Sequence, residues 1–389
     1  MYQRISKPLL TQSFFLFGAR GTGKSSLIRQ LLPPSHQTFW VDLLDDALYR
    51  ELLVRPQGFV ERIPAHFHGK DFWVIADEIQ RLPSLLNYCH KLIEERKISF
   101  ALTGSSARKL KREGANLLSG RAFVNELHPL TQRELGNDFD LSGVLRWGSL
   151  PQCVNYKTTV EKSEYLKAYV SQYIRQEIKE EQIVRSIDPF VRFLEVAAQM
   201  NGKVVNASKI GRHSMTDSAA VLRYFEILVD TLLGFYLEPY HQSVRKVQTA
   251  KAKFYFFDLG VKKAIEGTLN VPLVERTFSF GDAFEHFFIL ECHRLRDYTR
   301  AEDRFYYLRT KDGLEIDLLV ERSRKELWGI EIKSNDRVDE TEILKLKNLA
   351  QDLGLKKLLV ASREKTKRVL DAKIEIWPWL DVLEELYPG

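Results

Sequence analysis

The stretch FGARGTGKS, Phe17 to Ser25, holds G-x4-G-K-S with Gly18, Gly23, Lys24 and Ser25 in register. FFLF, Phe14 to Phe17, reads as a short buried strand before it, and SLIRQLL, Ser26 to Leu32, as a helix after it. Strand, glycine-rich loop and helix is the context that a phosphate-binding loop requires. Consecutive backbone N–H groups must wrap a β-phosphate, so the loop needs glycine where a Cβ would collide or where φ is positive. The helix beginning near Gly23 adds its positive end. Lys24 is placed to reach the β- and γ-phosphates, and Ser25 to hold Mg2+. The expected nucleotide-binding residues are Gly18, Ala19, Arg20, Gly21, Thr22, Gly23, Lys24, Ser25 and Ser26. A glycine-rich turn before a core helix would explain the glycines but not Lys-Ser at this register.

A phosphoryl-transfer site also needs acids. FWVIADEIQRLP, Phe72 to Pro83, reads as a buried strand ending in Asp77-Glu78. Asp77 at the strand end can hold Mg2+ through water, and Glu78 can polarise the attacking water. ISFALTGSS, Ile98 to Ser106, is a third strand ending in polar residues. Ser105 could sense the γ-phosphate, and Ser106 could instead cap the next helix. Arg121, in NLLSGRAF from Asn116 to Phe123, is a candidate γ-phosphate contact in cis or across a subunit interface. A surface arginine after a turn is the ordinary alternative.

The elements that must position these residues follow an α/β pattern. Phe14–Phe17, Trp40–Leu43, Trp73–Ala76 and Phe100–Leu102 are four expected strands separated by helical segments, which predicts a parallel sheet with its ligand beyond the C-terminal strand ends. Residues 140–240 change character. Tyr165 to Ile183 and Pro189 to Met200 read as helices. A short helix at NASKI, a second from Asp217 to Val229 and a strand in LLGFYLEPY outline a helix-turn-helix with a wing, a unit that binds DNA or simply packs. In the last third, KFYFFDLGV reads as a strand ending near Asp258, and GDAFEHFFILECHRL as a helix with Glu285 in its first turn. FYYLRTKDGLEIDLLVE reads as two strands around KDG, and ELWGIEIKS as another. Glu331 and Lys333, two apart on a strand, share a face. Asp317, Glu331 and Glu285 could share a divalent metal with Lys333 beside them, the D…E-x-K pattern of a metal-dependent phosphodiesterase. Charged pairs on exposed strand faces are the plain alternative.

The 389-residue chain is 44% hydrophobic and 28% charged, which suggests two or three globular domains. No run of 18 apolar residues predicts a membrane span, and the N-terminus lacks a signal-peptide pattern. Three separated cysteines, Cys89, Cys153 and Cys292, give neither a zinc pattern nor a disulfide framework, so a cytoplasmic setting is expected. The net charge of +6 is concentrated in the first 150 residues, densest in ARKLKREG from Ala107 to Gly114, while the last third is near neutral. Such an excess permits nucleic-acid binding without demanding it.

GARGTGKS, VIADEIQRLP, LTGSSARKLKREGANLLSGRAF, HPLTQREL, TLLGFYLEPY, KFYFFDLG, GDAFEHFFILE and GLEIDLLV with GIEIKS together resemble a family of bacterial and archaeal predicted ATPases. That family has an AAA-type N-terminal domain and a C-terminal domain of unknown function, DUF4143. Ala76 departs from the family pattern, where a bulkier apolar residue is usual. The resemblance implies a P-loop ATPase domain over 1–140, a helical and winged-helix domain over 141–245, and a restriction-endonuclease-like α/β domain over 246–389. It implies ATP and Mg2+ at Gly23, Lys24, Ser25, Asp77 and Glu78. It also implies Arg121 as an arginine finger or sensor, and Glu285, Asp317, Glu331 and Lys333 as a nuclease-like set. The leading expectation is an ATP-hydrolysing switch. The alternatives are an ATP-regulated DNA nuclease and a DNA- or protein-binding module with negligible turnover. Partners could be DNA, another protein or a second copy of the chain.

Overall fold

The computed structural model describes residues 2–106, 118–174, 187–241, 251–322 and 326–389. Five parallel strands form the first sheet: β1 (Ser13–Phe17), β2 (Thr38–Asp42), β3 (Trp73–Asp77), β4 (Ser99–Gly104) and β5 (Ala122–Glu126). Their order is β2-β3-β4-β1-β5. All residues of β1, β3 and β4 are buried, as expected of strands covered on both faces. The four strands read from sequence are present. The fifth, β5, lies at the sheet edge with Phe123 and Val124 exposed, so it carries no buried-run signal. The basic run 107–114 lies outside the described residues, as does the start of the Asn116–Phe123 segment.

The middle of the chain is largely helical. Thr159–Ala168 is α-helical and Tyr169–Ile174 continues it as a π-helix; the remainder of the expected 165–183 helix lies outside the described residues. Helices Ile187–Gln199, Ala207–Ser214 and Ser218–Asp230 pack on one another. β6 (Gly234–Pro239) and β7 (Lys253–Phe256) pair antiparallel after them, so the strand expected in LLGFYLEPY is present.

The pairing does not stop there. β6 also pairs parallel with β8 (Arg304–Arg309). β9 (Glu315–Arg322), β10 (Glu326–Ile332), β11 (Lys357–Ser362), β12 (Arg368–Asp371) and β13 (Ile374–Pro378) complete an eight-stranded sheet. Its order is β12-β13-β11-β10-β9-β8-β6-β7. The expected division at 245/246 lies outside the described residues, and the strands on either side of it, β6 and β7, pair with each other and belong to the same last sheet. The strand expected to end near Asp258 is β7, which stops at Phe256, and Asp258 opens the next helix. Its buried carboxylate caps the Leu259–Glu266 helix by accepting from the Val261 N–H.

The 22-residue helix Phe278–Thr299 lies across this sheet, opened by Thr277, whose side chain accepts from the Phe280 N–H. Its apolar face shares one core with β9–β11, with Leu130 and Leu135 from the end of the ATPase-like segment, and with Val144 and Leu145 from the Leu141–Trp147 helix that follows. Ala19 of the glycine-rich loop packs into the core of the middle helices. The segments are thus joined by apolar packing at Leu130 and Leu135 beyond β5 and at Ala19 in the loop after β1.

Candidate nucleotide site and a buried carboxylate cluster

The glycine-rich loop leaves the C-terminal end of β1. Gly21 and Gly23 have φ of 79° and 96°, the left-handed region where a side chain is strained. A Cβ on Gly18 would come within 2.4 Å of the Leu127 carbonyl oxygen. Lys24 opens the Lys24–Leu31 helix, is 6% exposed, and donates from Nζ to the carbonyl of Gly18 at 2.9 Å. Its ammonium also stands 3.9 Å from a Glu78 oxygen. The Ser25 hydroxyl donates to Asp77 Oδ2 at 2.8 Å. Serine, lysine and the two acids therefore meet at one edge of the sheet, as their spacing in the sequence predicts.

Thr103 on β4 and Gln80 after β3 organise those acids, and neither was singled out in the sequence. The Thr103 hydroxyl donates to Asp77 Oδ1 and accepts from the Glu78 N–H at 3.1 Å. Glu78 has φ of 59°, an uncommon left-handed conformation for glutamate. The Gln80 amide bridges Glu78 and Ser105, reaching the Ser105 hydroxyl at 3.0 Å. Ser105 is therefore in the second ring around the acids, while Ser106 donates to the Asp230 carbonyl at 2.9 Å and so ties β4 to the middle helices.

Arg121 is placed elsewhere. Ala122 pairs with Ser13 and Glu126 with Phe17, so Arg121 stands at the N-terminal end of the parallel sheet, a full strand from the loop. Its guanidinium binds Glu94 at 2.5 Å. The expected role in cis is corrected: the side chain cannot reach its own Lys24.

The loop tip is covered by the middle helices. Tyr169 donates to the Arg20 carbonyl at 2.8 Å, and Tyr165 stands over Gly21. From the other side, Arg4 donates to the Thr22 carbonyl at 2.6 Å, to Glu134 Oε1 at 2.9 Å, to the His128 carbonyl at 2.6 Å and to the Tyr298 hydroxyl at 3.0 Å. One buried guanidinium thus connects the phosphate-loop segment to the Phe278–Thr299 helix.

The four nuclease-like residues also converge. Asp317 lies on β9, Glu331 on β10 and Glu285 in the third turn of the Phe278–Thr299 helix, not its first. Lys333 Nζ is 3.0 Å from Glu331 Oε1, and the Ile332 N–H donates to Asp317 Oδ2 at 2.8 Å. Burial pushes the Asp317 carboxyl well up, reinforced by Glu331 and Glu285; burial also raises Glu331, against the pull of Lys333. Two residues of β7 join the cluster: Tyr255 donates to Glu285 at 2.7 Å, and Lys253 binds Glu285 at 3.4 Å and Glu315 at 2.5 Å. These partners hold Glu285 back, and Glu285, Asp317 and Glu331 do not bring one oxygen each within 4.8 Å of the other two. The expected three-carboxylate shell is corrected to a looser cluster neutralised by Lys253 and Lys333.

On the proposed DNA-reading helix, Ser218–Asp230, the exposed side chains include Leu222, Arg223 and Glu226, with Asp217 at the cap. That face is mixed in charge and offers a polyanion little net attraction. No helix among the described residues is long and apolar enough to cross a membrane.

Comparison with known proteins finds an AAA domain over residues 11–136, a domain of unknown function (DUF8612) over 138–271 and a second (DUF4143) over 280–381. The chain therefore carries an AAA domain and a DUF4143 domain. It is 25% identical to an uncharacterized protein of Mycobacterium tuberculosis; the match covers 67% of this chain and 58% of that protein. It is 23% identical to an uncharacterized protein of Methanocaldococcus jannaschii, covering 87% and 79%. Among solved structures, the Aeropyrum pernix ORC1 protein in complex with DNA matches at 13% identity and a TM-score of 0.28, over 66% of this chain and 86% of that one. A score that low carries no argument.

Proposed function

We propose that this protein is an ATP-hydrolysing switch whose nucleotide site is read by the middle helices and the C-terminal helix. The observation that carries this reading is the convergence of Lys24, Ser25, Asp77 and Glu78 beneath a loop held by Tyr169 and Arg4. The fit to Mg2+ rests on the donor set: a hydroxyl and a carboxylate oxygen 2.8 Å apart at the strand end. Bound there, the ion neutralises phosphate charge. Gly18–Gly23 supply the N–H cradle and Lys24 the point charge on the terminal phosphates. Glu78, fixed by its backbone bond to Thr103 and its side-chain bond to Gln80, orients the attacking water and receives its proton. An Arg121 role across a subunit interface remains part of this proposal.

A steady-state phosphate-release assay tests it. Lys24→Ala is expected to abolish ATP binding. Glu78→Gln is expected to keep binding and lower kcat about 100-fold or more. Turnover equal to wild type in both variants would sink the reading. Running the assay with and without duplex and single-stranded DNA separates a DNA-coupled switch from one coupled to protein.

A second reading is a divalent-metal phosphodiesterase at the C-terminal cluster, on the restriction-endonuclease-like fold. It is favoured by one feature: Glu331 Oε2 is buried and lacks a hydrogen-bond partner, beside two further carboxylates that repel it. Asp317 and Glu331 would hold such an ion. Mn2+-dependent DNA cleavage lost in Asp317→Ala is its expected signature, and intact DNA at all metal concentrations its refutation.

A further inference from the structure

A separate group of side chains lies where the loop after β5 meets the Phe278–Thr299 helix. His293 and Asp297 are four residues apart on that helix and share a face. His128, from the HPLTQREL segment, faces them. Asp297 Oδ2 is 2.8 Å from His128 Nε2 and 3.8 Å from His293 Nε2. The two imidazoles are 5.3 Å apart, centre to centre. One ligand atom from each of the three residues lies within 4.8 Å of the others, and among the described residues no other group of histidine, cysteine and acid side chains does this. All three are partly exposed to a cavity of about 750 Å³ that Lys7, Asn125, Phe235 and Arg300 also line.

We propose that His128, His293 and Asp297 form a binding site for a zinc-type transition-metal ion that clamps the AAA domain to the C-terminal helix, with its fourth position open to this cavity. Two imidazoles and one carboxylate are the donors such ions take, and the hard oxygen-only preference of Mg2+ is not met. Tetrahedral zinc with bonds of about 2.0–2.2 Å separates its ligand atoms by about 3.3–3.5 Å. The observed 2.8 and 3.8 Å bracket that value, so a small swing of the Asp297 carboxylate from His128 toward His293 equalises both.

The outer contacts suit this. Arg296 donates from Nε and Nη2 to Asp297 Oδ1, at 3.0 and 2.8 Å, and leaves Oδ2 for the ion. Phe235 stacks on His293 at 4.0 Å with 3° between planes and fixes that ring. Tyr298 accepts from the His128 N–H at 2.9 Å and anchors the loop. Two adjustments are required. His128 must present the Nε2 lone pair, so its ring proton resides on Nδ1. Arg296 must release His293 Nδ1, now 3.3 Å away, because that nitrogen then carries the proton. The arginine charge works against a dication, and the Asp297 carboxylate offsets it.

The test uses the full chain stripped of metal, titrated with Zn2+ by calorimetry and with Co2+ by visible absorption. One tight equivalent per chain is expected, with a tetrahedral Co2+ spectrum and a rise in melting temperature. His128→Gln should weaken binding about 100-fold or more while leaving the fold intact, and Asp297→Asn should do the same. The exposed His66 and His68 are a competing surface pair, and His66→Ala/His68→Ala should bind as wild type does. No stoichiometric uptake, uptake unchanged in His128→Gln, or uptake lost with His66 and His68 would each overturn the proposal.

Discussion

Glu78 illustrates how a residue's role depends on neighbours that its own sequence does not announce. Lys24, Ser25, Asp77 and Glu78 were legible because their chemistry fixes both residue type and spacing. Thr103 was not, because a threonine inside a strand reads as ordinary β content. Yet its single hydroxyl serves Asp77 and the Glu78 N–H together. The left-handed backbone of Glu78 costs about 1–3 kcal/mol and persists only where its surroundings impose it. Thr103→Val keeps the shape and removes the hydroxyl. It should cost about 1–3 kcal/mol of stability, since a buried N–H loses its acceptor. It should also lower kcat by about tenfold or more with ATP affinity nearly unchanged; an unaltered kcat would show that the acids are positioned without it. Arg121 misled in the opposite way. A lone arginine after a glycine has no spacing rule that ties it to one end of a sheet, and the unread strand β5 carried it to the far end. Arg121→Ala should leave per-chain turnover unchanged in dilute monomer. A fall in turnover that grows with protein concentration would instead support a contact between copies.

Among elements, β9, β10 and the Phe278–Thr299 helix were legible from alternation and apolar periodicity, so the meeting of Asp317, Glu331 and Glu285 was foreseeable. The contribution of β7 was not. Lys253 and Tyr255 lie in what reads as a plain buried strand, and only the continuous pairing of β7, β6 and β8 brings it beside the acids. The electrostatics of the cluster give a directional expectation. The Asp317 carboxyl titrates well above its usual value because burial and two like charges oppose ionisation. Above the unfolded pKa of about 3.9, the folded chain then holds a proton that the unfolded chain has lost. Stability attributable to this group is therefore present below that pH and falls as pH rises toward the raised value. Asp317→Asn removes the titration and keeps an acceptor for the Ile332 N–H. Its melting temperature should match wild type near pH 4 and exceed it progressively toward pH 8. A difference independent of pH would mean that Asp317 is not the strained member. Added Mn2+ should raise the wild-type melting temperature and leave the variant unmoved if the phosphodiesterase reading holds.

At the scale of the molecule, the segments are joined by buried cations as much as by apolar packing, and this no motif could reveal. Arg294 donates to the carbonyls of Leu130 and Phe257 and to the Ser149 hydroxyl, so it touches all three matched regions from one helix. Arg4 does the same for the nucleotide loop, holding the Thr22 carbonyl and the Tyr298 hydroxyl with one rigid fork. Any shift of the loop on binding phosphate must be taken up by that guanidinium or passed to the helix. Arg4→Met alone strands the buried Glu134 carboxylate and should cost about 3–5 kcal/mol. Arg4→Met/Glu134→Gln removes the stranded charge. The one amide oxygen keeps the bond from the Thr131 N–H, while the Ile5 N–H faces the amide NH2 and loses its acceptor, so part of the stability should return. Transmission should not return with it. In wild type, ATP should slow amide exchange over residues 293–301 as well as in the loop. In the double variant the loop should be protected while 293–301 exchange as they do without nucleotide. Protection of both segments in the stable double variant would show that the signal runs instead through Tyr169 and the middle helices, and would relieve Arg4 of any part in the switch.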